Sequence, residues 1–416
     1  MNIDKTRIER NIEDLASIGR HEGGGITRLE WTEENLEARK FIIKEMKEAN
    51  LRVSLDSIGN IIGKRDILTE NPKLPSVMVG SHIDTPKNGG KYDGTVGVLG
   101  GLEVIRMFNE HGIETKHPIE VVVFAGEEAS RFGASFKGSM GMIGQATPEI
   151  MRNKWVDKEG ISYWEALKAA GFDPEDYESA VRDPDSIKCY YELHIEQGRV
   201  LEQAGVPIGV VTCIAGVTRG WATIQGRADH SGATPMNVRK DALAAAAEII
   251  IHLEEAARKE AYCDTVATVG DLIVRPSAMN VIPGEVTMSL EVRGTNVDSI
   301  SRVFKGLHRK ISEVSTAREI DIRYQYHENE SPRPMPPESQ SIIKQSVEEE
   351  EVEYILMPSG AGHDAQILSK ITRAGMIFVP SINGISHSPK EVTKIDDIVQ
   401  GVRILAKVVS KEAITI

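Results

Sequence analysis

Histidines and carboxylates recur at the ends of apolar runs in this chain. His82 and Asp84 follow VMVG (77–80), Asp93 lies beyond the loop NGG (88–90), and Glu127–Glu128 follows VVVFAG (121–126). His194 sits in YYELHIEQG and His387 in VPSINGISHSP. Borderline metals such as zinc take imidazole nitrogen and carboxylate oxygen, and catalytic sites leave a position open for water. Three histidines and two carboxylates suffice for two ions if one carboxylate bridges, which favours a co-catalytic hydrolase over a structural site. The adjacent carboxylates of Glu127 and Glu128 repel and need a cation or a shared proton nearby. A division of labour meets that need: Glu128 binds metal, and Glu127 takes the proton of the attacking water. Each of these residues, taken singly, also reads as a cap or a solvated loop residue.

The elements that must position them alternate in type. Amphipathic helices are expected over 3–18 and 32–49, the second capped by Thr32. Strands LRVSLD, NIIGKR and SVMVG follow, then helix TVGVLGGLEVIRMFNEHG and strand IEVVVFAG. This alternation predicts a mainly parallel α/β sheet covered on both faces. In such sheets ligands bind at the carboxyl ends of the strands, where His82 and Asp84 fall. The charged segment 146–188 is expected to be helical and to lie outside the sheet, and YYELHI (190–195) to return to a strand.

From about residue 212 the pattern changes. Strand RGWATIQGRA, helix 237–259, strand TVATVGDLIV, strand EVTMSLEVRG, helix 298–316 and strand DIRYQYH spell a β-α-β-β-α-β, ferredoxin-like module. The proline-rich run 330–337 is expected to be a linker; helix 339–349, strand YILMPS, a helix opening at 362–364 and strand MIFVP then resume the first pattern. The expected organisation is a discontinuous catalytic domain, 1–211 with 329–416, interrupted by an inserted domain, 212–328. Within the insert, His230 in DHSGATP suits donation to an oxyanion. Arg293 ends a strand and has the fork for a carboxylate, and Asn280 sits in a turn before VIPGE. These three also read singly as surface residues.

Bulk properties narrow the class. At 416 residues the chain exceeds the size of a single core, so two domains are the default. A hydrophobic content of 40% with 27% charged residues fits an ordinary soluble protein, and a net charge of −13 argues against nucleic acid or an anionic membrane as partner. Cys189, Cys213 and Cys263 form no CxxC pair, which points to buried thiols in a reducing, cytoplasmic setting. No apolar run approaches the roughly 20 residues of a membrane span, and the charged N-terminus has no signal core.

Taken together, SHIDT, KYDG, AGEEASRF, HIEQG, DHSGATPM, NVIPG and GISHSP resemble the M20 metal hydrolases, in this order and across the whole chain. Within them the chain is similar to the amidase branch: N-carbamoyl-L-amino acid amidohydrolases, allantoate amidohydrolases and bacterial β-ureidopropionases. Peptidase members have a carboxylate where this chain has His194. The resemblance implies two divalent metal ions (zinc, manganese, cobalt or nickel), one on His82, Asp93 and His194, the other on Asp93, Glu128 and His387. It implies Glu127 as general base, Asp84 as the residue orienting His82, and Gln197, His230, Asn280, Arg293 and Gly360 as substrate contacts, Arg293 on the α-carboxylate and Gly360 through backbone N–H. His363 lies in the same loop as Gly360. The inserted module would be a lid and dimerisation domain, making the protein a homodimer. The expected reaction is hydrolysis of the carbamoyl C–N bond of a small ureido acid, an N-carbamoyl-L-amino acid, to the amino acid, ammonia and carbon dioxide. Allantoate or N-carbamoyl-β-alanine are the alternative substrates; a dipeptidase, an aminoacylase or a non-catalytic binding protein fit less well.

Overall fold

The computed structural model describes residues 3–67 and 74–414. Two compact units divide the chain: unit 1 runs to Thr212 and includes Met335–Met357 and everything from His363, while unit 2 comprises Cys213–Pro334 and Pro358–Gly362.

Unit 1 opens with α1 (Lys5–Ser17), capped by the Asp4 side chain on Arg7 N–H, and α2 (Glu33–Glu48), capped by Thr32 on Asn35 N–H. Both bury an apolar stripe, Ile8, Ile12 and Leu15 in α1 and Ala38, Ile42 and Met46 in α2. Strands β1 (Arg52–Leu55), β2 (Ile61–Arg65) and β3 (Ser76–His82) precede α3 (Thr95–Glu110) and β4 (Ile119–Phe124). Short helices α4 (Lys137–Met142), α5 (Pro148–Asn153) and α6 (Tyr163–Ala169) lead to β5 (Ile187–Ile195), α7 (Val200–Ala204) and β6 (Ile208–Ile214). The charged segment is more than a cover of helices, because Trp155, Tyr163, Trp164 and Leu167 build a second core with Trp31 and Ile58.

Unit 2 is built from β7 (Gly216–Gln225), α8 (Ala242–Lys259), β8 (Val266–Thr268), β9 (Leu272–Arg275), β10 (Glu285–Gly294), α9 (Val297–Arg318) and β11 (Asp321–Glu330). Its antiparallel sheet has the order β11-β7-β10-β8, with β9 also on β10. Along β10 alternate residues are buried, so Val286, Met288, Leu290 and Val292 face the core shared with α8 and α9 while Ser289, Glu291 and Arg293 face the other way. Three expectations are corrected here. The helix expected from 237 begins at Ala242, because the Asp241 side chain accepts the N–H groups of Leu243 and Ala244 and so caps it there. The strand expected over 265–274 is broken into β8 and β9, since the N–H groups of Gly270 and Asp271 bond to the Ser289 side-chain Oγ of β10 instead of to a β10 backbone carbonyl. The expected proline linker contains β12 (Arg333–Pro334), which pairs with Ile214 and Cys213, and Pro337 opens the next helix, where its missing N–H costs nothing.

The chain then forms α10 (Pro337–Glu348), β13 (Tyr354–Ser359), α11 (Asp364–Leu368), β14 (Arg373–Val379) and α12 (Ile395–Ile414). Among the described residues the larger sheet has nine strands in the order β1-β2-β4-β3-β5-β14-β6-β12, with β13 on β6. Its centre, β4-β3-β5-β14, is parallel, and β1, β2 and β6 run antiparallel. The central strands are buried along almost their whole length, as expected where both faces are covered, so the expected α/β architecture is the one observed. Helices α3 and α12 pack on the sheet and on each other.

α3 lies unusually close to the strands. A Cβ at Gly97 would sit 2.5 Å from the Leu193 carbonyl oxygen and 2.8 Å from Ser81 Cβ. Backbone atoms of a central strand cannot give way, so Gly97→Val should destabilise unit 1 at the upper end of the range of about 1–3 kcal/mol typical of overpacking, read as a lower urea midpoint.

Candidate metal centre

Four parallel strands end at one edge. In register, His82 lies opposite Phe124 and Phe378 opposite His194, so β3, β4, β5 and β14 finish together. His82 is the last residue of β3, Glu127 and Glu128 lie just past β4, His194 is the penultimate residue of β5, and His387 belongs to the loop after β14. Asp93 precedes α3, joined to it by Gly94 at φ 66°. Only glycine suits position 94: the φ is left-handed, and a Cβ would lie 2.4 Å from the His82 ring.

All six side chains meet. Asp93 Oδ1 is 3.1 Å from His194 Nε2, and its Oδ2 is 3.0 Å from His387 Nε2. His82 Nε2 lies 3.8 Å from Asp93 Oδ1 and 3.8 Å from Glu127 Oε2. Two sets of potential ligand atoms result, His82–Asp93–His194 and Asp93–Glu128–His387, each within 4.8 Å, with Asp93 common to both. A third set, Glu192–His194–His363, is already engaged, since Glu192 accepts hydrogen bonds from Ser81 Oγ (2.7 Å) and the Ala365 N–H (3.1 Å).

The donor chemistry fits divalent metal. His82 Nδ1 lies 3.1 Å from the Asp84 carbonyl and His194 Nδ1 2.9 Å from the Ile195 carbonyl. A carbonyl only accepts, so a hydrogen sits on Nδ1 and Nε2 is the nitrogen turned into the cluster, a donor to a carboxylate when protonated and a metal ligand when not. Glu128 Oε1, 3.2 Å from His387 Nε2 but outside hydrogen-bond geometry, and Gln197 Oε1 are buried without a hydrogen-bond donor among the described residues. Burial, with Glu128 adding to it and His82 opposing, pushes the Glu127 carboxyl well above the usual range, and burial with Asp93 pushes Glu128 up to about 7. Burial also opposes ionisation of Asp93, but the hydrogen bonds of His194 and His387 outweigh it and hold that carboxyl well below the usual range.

The Glu127–Glu128 turn is fixed from behind. The Asp84 carboxylate accepts the N–H of Glu127 (3.3 Å) and of Glu128 (3.0 Å), and its Oδ1 stands 3.7 Å from His82 Nδ1. The Lys137 ammonium, fully buried, pairs with Glu30 and reaches the Glu128 carbonyl at 3.5 Å. Gln197 Nε2 donates to Asp93 Oδ2 (3.1 Å). His363 is buried edge-on against His194, ring centroids 4.5 Å apart.

The remaining expected residues belong to unit 2. His230 Nδ1 accepts the N–H groups of Gly232 and Ala233, so Nε2 carries the ring hydrogen and is a donor. His230 bridges to Val281, and the carbonyl of Asn280 accepts the Ser231 N–H. Arg293 is held along one edge by Glu291 (Nε to Oε1 2.8 Å) and donates through Nη1 to the Gly360 carbonyl (3.0 Å). The Gly360 carbonyl thus accepts from Arg293.

Glu391, Ser386, Lys137 and Glu30 were not singled out from the sequence. Ser386 opens the SHSP motif; Glu391, Lys137 and Glu30 carried no signal, being ordinary charged residues until folding buries them.

Comparison with known proteins follows the same lines. Residues 78–411 match the profile of Peptidase family M20/M25/M40. The chain is 40% identical over 415 residues to an N-carbamoyl-L-amino-acid amidohydrolase of Pseudomonas sp. (strain NS671), covering 99% of both chains. It is 38% identical over 400 residues to the allantoate amidohydrolase of Escherichia coli (strain K12), covering 96% of both. The crystal structure of an amidase of the hydantoinase/carbamoylase family from Burkholderia multivorans matches it with a TM-score of 0.90 at 32% identity, covering 99% of this chain and 98% of that one. The chain belongs to Peptidase family M20/M25/M40.

The buried Glu30–Lys137 pair gives a test of how the turn is supported. Lys137→Met leaves Glu30 buried without its cation and should cost about 3–5 kcal/mol in chemical denaturation, whereas the double change with Glu30→Leu should recover most of it.

Proposed function

We propose that the chain is a metal-dependent amidohydrolase that cleaves the carbamoyl C–N bond of N-carbamoyl-L-amino acids, giving the amino acid, ammonia and carbon dioxide. The observation that carries this reading is the pair of ligand sets sharing Asp93, in a chain similar over 99% of its length to an enzyme of that name. Two divalent ions, zinc, manganese, cobalt or nickel, would be held by His82, Asp93 and His194 and by Asp93, Glu128 and His387. When bound, such ions lower the pKa of water and polarise a carbonyl, which a ureido group, a poor electrophile, requires.

The chain's own residues do the rest. Glu127 accepts a proton from the attacking water as its oxygen adds to the carbamoyl carbon, then delivers that proton to nitrogen as the C–N bond breaks. Asp84 keeps the Glu127 backbone in place through its N–H. His230 Nε2–H donates to the carbamoyl oxygen as negative charge develops there. Arg293, with one edge occupied by Glu291, offers its remaining N–H groups to the substrate carboxylate, and Gln197, Asn280 and the loop at Gly360 complete the recognition. The three cysteines are free. Among the described residues no helix is long and apolar enough to cross a membrane. We read the protein as a cytoplasmic homodimer associating through unit 2. A second reading is favoured by the Escherichia coli relative: allantoate, also a ureido acid with a carboxylate, would use the same residues.

Ammonia release from N-carbamoyl-L-methionine, N-carbamoyl-β-alanine and allantoate, with D-isomers as controls, tests the reading on metal-loaded protein. The L-carbamoyl substrate should be turned over fastest and the D-isomers hardly at all. Turnover of allantoate alone would favour the second reading, and none of the three would overturn both. Glu127→Gln should lower turnover by about 10²–10⁴-fold at unchanged metal content.

A further inference from the structure

We propose that Glu391 is a positioning residue that sets the second ligand set, Asp93–Glu128–His387, by tying together the two loops that carry Asp93 and His387. The proposal rests on the metal reading above.

Glu391 is 3% exposed and belongs to none of the ligand sets. Its Oε1 accepts two backbone N–H groups, from Tyr92 at 2.8 Å and Asp93 at 3.2 Å. Its Oε2 accepts Ser386 Oγ at 2.8 Å, and Ser386 immediately precedes His387. One carboxylate thus fixes the Asp93 backbone with one oxygen and the His387 loop with the other, across 299 residues of chain. The tie continues inward, because Ser386 Oγ also lies 3.3 Å from Asp93 Oδ2, the oxygen that faces His387, and accepts from Gln197 Nε2 at 3.3 Å.

The two ligand sets depend on this tie unequally. In the first set, His82 and His194 are buried strand residues held by backbone carbonyls, and Asp93 Oδ1 is held by His194. In the second set His387 is the weak member: it lies in a loop at φ 53° and its side chain is 50% exposed. Its Nε2 meets Asp93 Oδ2 at 3.0 Å, and the Ser386–Glu391 contact ties the loop that carries it to the Asp93 backbone. A carboxylate suits this work better than a neutral acceptor, since bonds to an ionised oxygen are shorter and stronger. Residues that orient ligands in this way typically contribute 10- to 100-fold in metal affinity.

The test is a zinc titration of metal-stripped protein by calorimetry, with metal content by mass spectrometry. Wild-type protein should bind two equivalents; if it binds none, the metal reading itself fails, and the variants are not at issue. In Glu391→Ala the second equivalent should weaken by at least 10-fold while the first stays within about threefold, and Glu391→Gln, whose amide can still accept both N–H groups and donate to Ser386, should recover most of the loss. Two equivalents at wild-type affinity in Glu391→Ala, or equal weakening of both, would overturn the proposal. Should Glu391→Ala not fold, as judged by the melting temperature of the stripped protein, Ser386→Ala carries the test. That change leaves the hold of Glu391 on the Asp93 backbone and removes its tie to the His387 loop, together with the Ser386 contacts to Asp93 and Gln197, so selective weakening of the second equivalent supports the proposal and unchanged binding overturns it.

Discussion

Three carboxylates, Asp93, Glu127 and Glu128, are buried together at the carboxyl edge of a parallel sheet, and the rest of unit 1 answers to that constraint. Burying like charges is unfavourable unless they are paired, protonated or shared by a cation. Here imidazoles face them: His194 and His387 on the two oxygens of Asp93, His387 also beside Glu128, and His82 near both Asp93 and Glu127. Burial, with the neighbouring carboxylates adding to it, still pushes Glu128 up to about 7 and Glu127 well above the usual carboxylate range. Carboxylates and imidazoles buried together in this way are suited to hold cations.

The scaffold supplies the precision this needs. Parallel register aligns four strand ends, so side chains widely separated in sequence reach one point. Glycine at 94 lets the Asp93 backbone pass against the His82 ring, and glycine at 97 lets α3 lie on Leu193 and Ser81. Behind the cluster, Asp84 and Lys137 hold the turn of Glu127 and Glu128 by its N–H and C=O groups, and Glu391 holds the loops of Asp93 and His387. Ligands on strand ends are fixed by the sheet, and those on loops are fixed by buried charged side chains.

That division also explains what was legible in the sequence. The strands VMVG, VVVFAG and YYELHI read clearly because strands buried on both faces are continuous apolar runs, and the polar residues after them stood out against that background. His82, Asp93, Glu127, Glu128, His194 and His387 could be named for that reason, and the motif set identified the family. Helix onset at Ala242 was not legible from NVRKDALAAA, where propensity continues upstream of the Asp241 cap. Arg333–Pro334 looked like linker because pairing with Ile214 and Cys213 is a long-range event. Glu391 and Lys137 were invisible for the same reason. Their roles come from contacts made only on folding, and a lone charged residue in a polar stretch carries no local sign of burial.

Asp93, shared by both ligand sets, is the centre of this account, and metal stoichiometry tests it most directly. Stripped protein reloaded with zinc or manganese should hold two ions per chain. His82→Ala should lose one of them, whereas Asp93→Ala, still folded by circular dichroism, should lose both. An Asp93→Ala protein that keeps one ion at wild-type affinity would contradict the shared ligand, and with it the arrangement built around it.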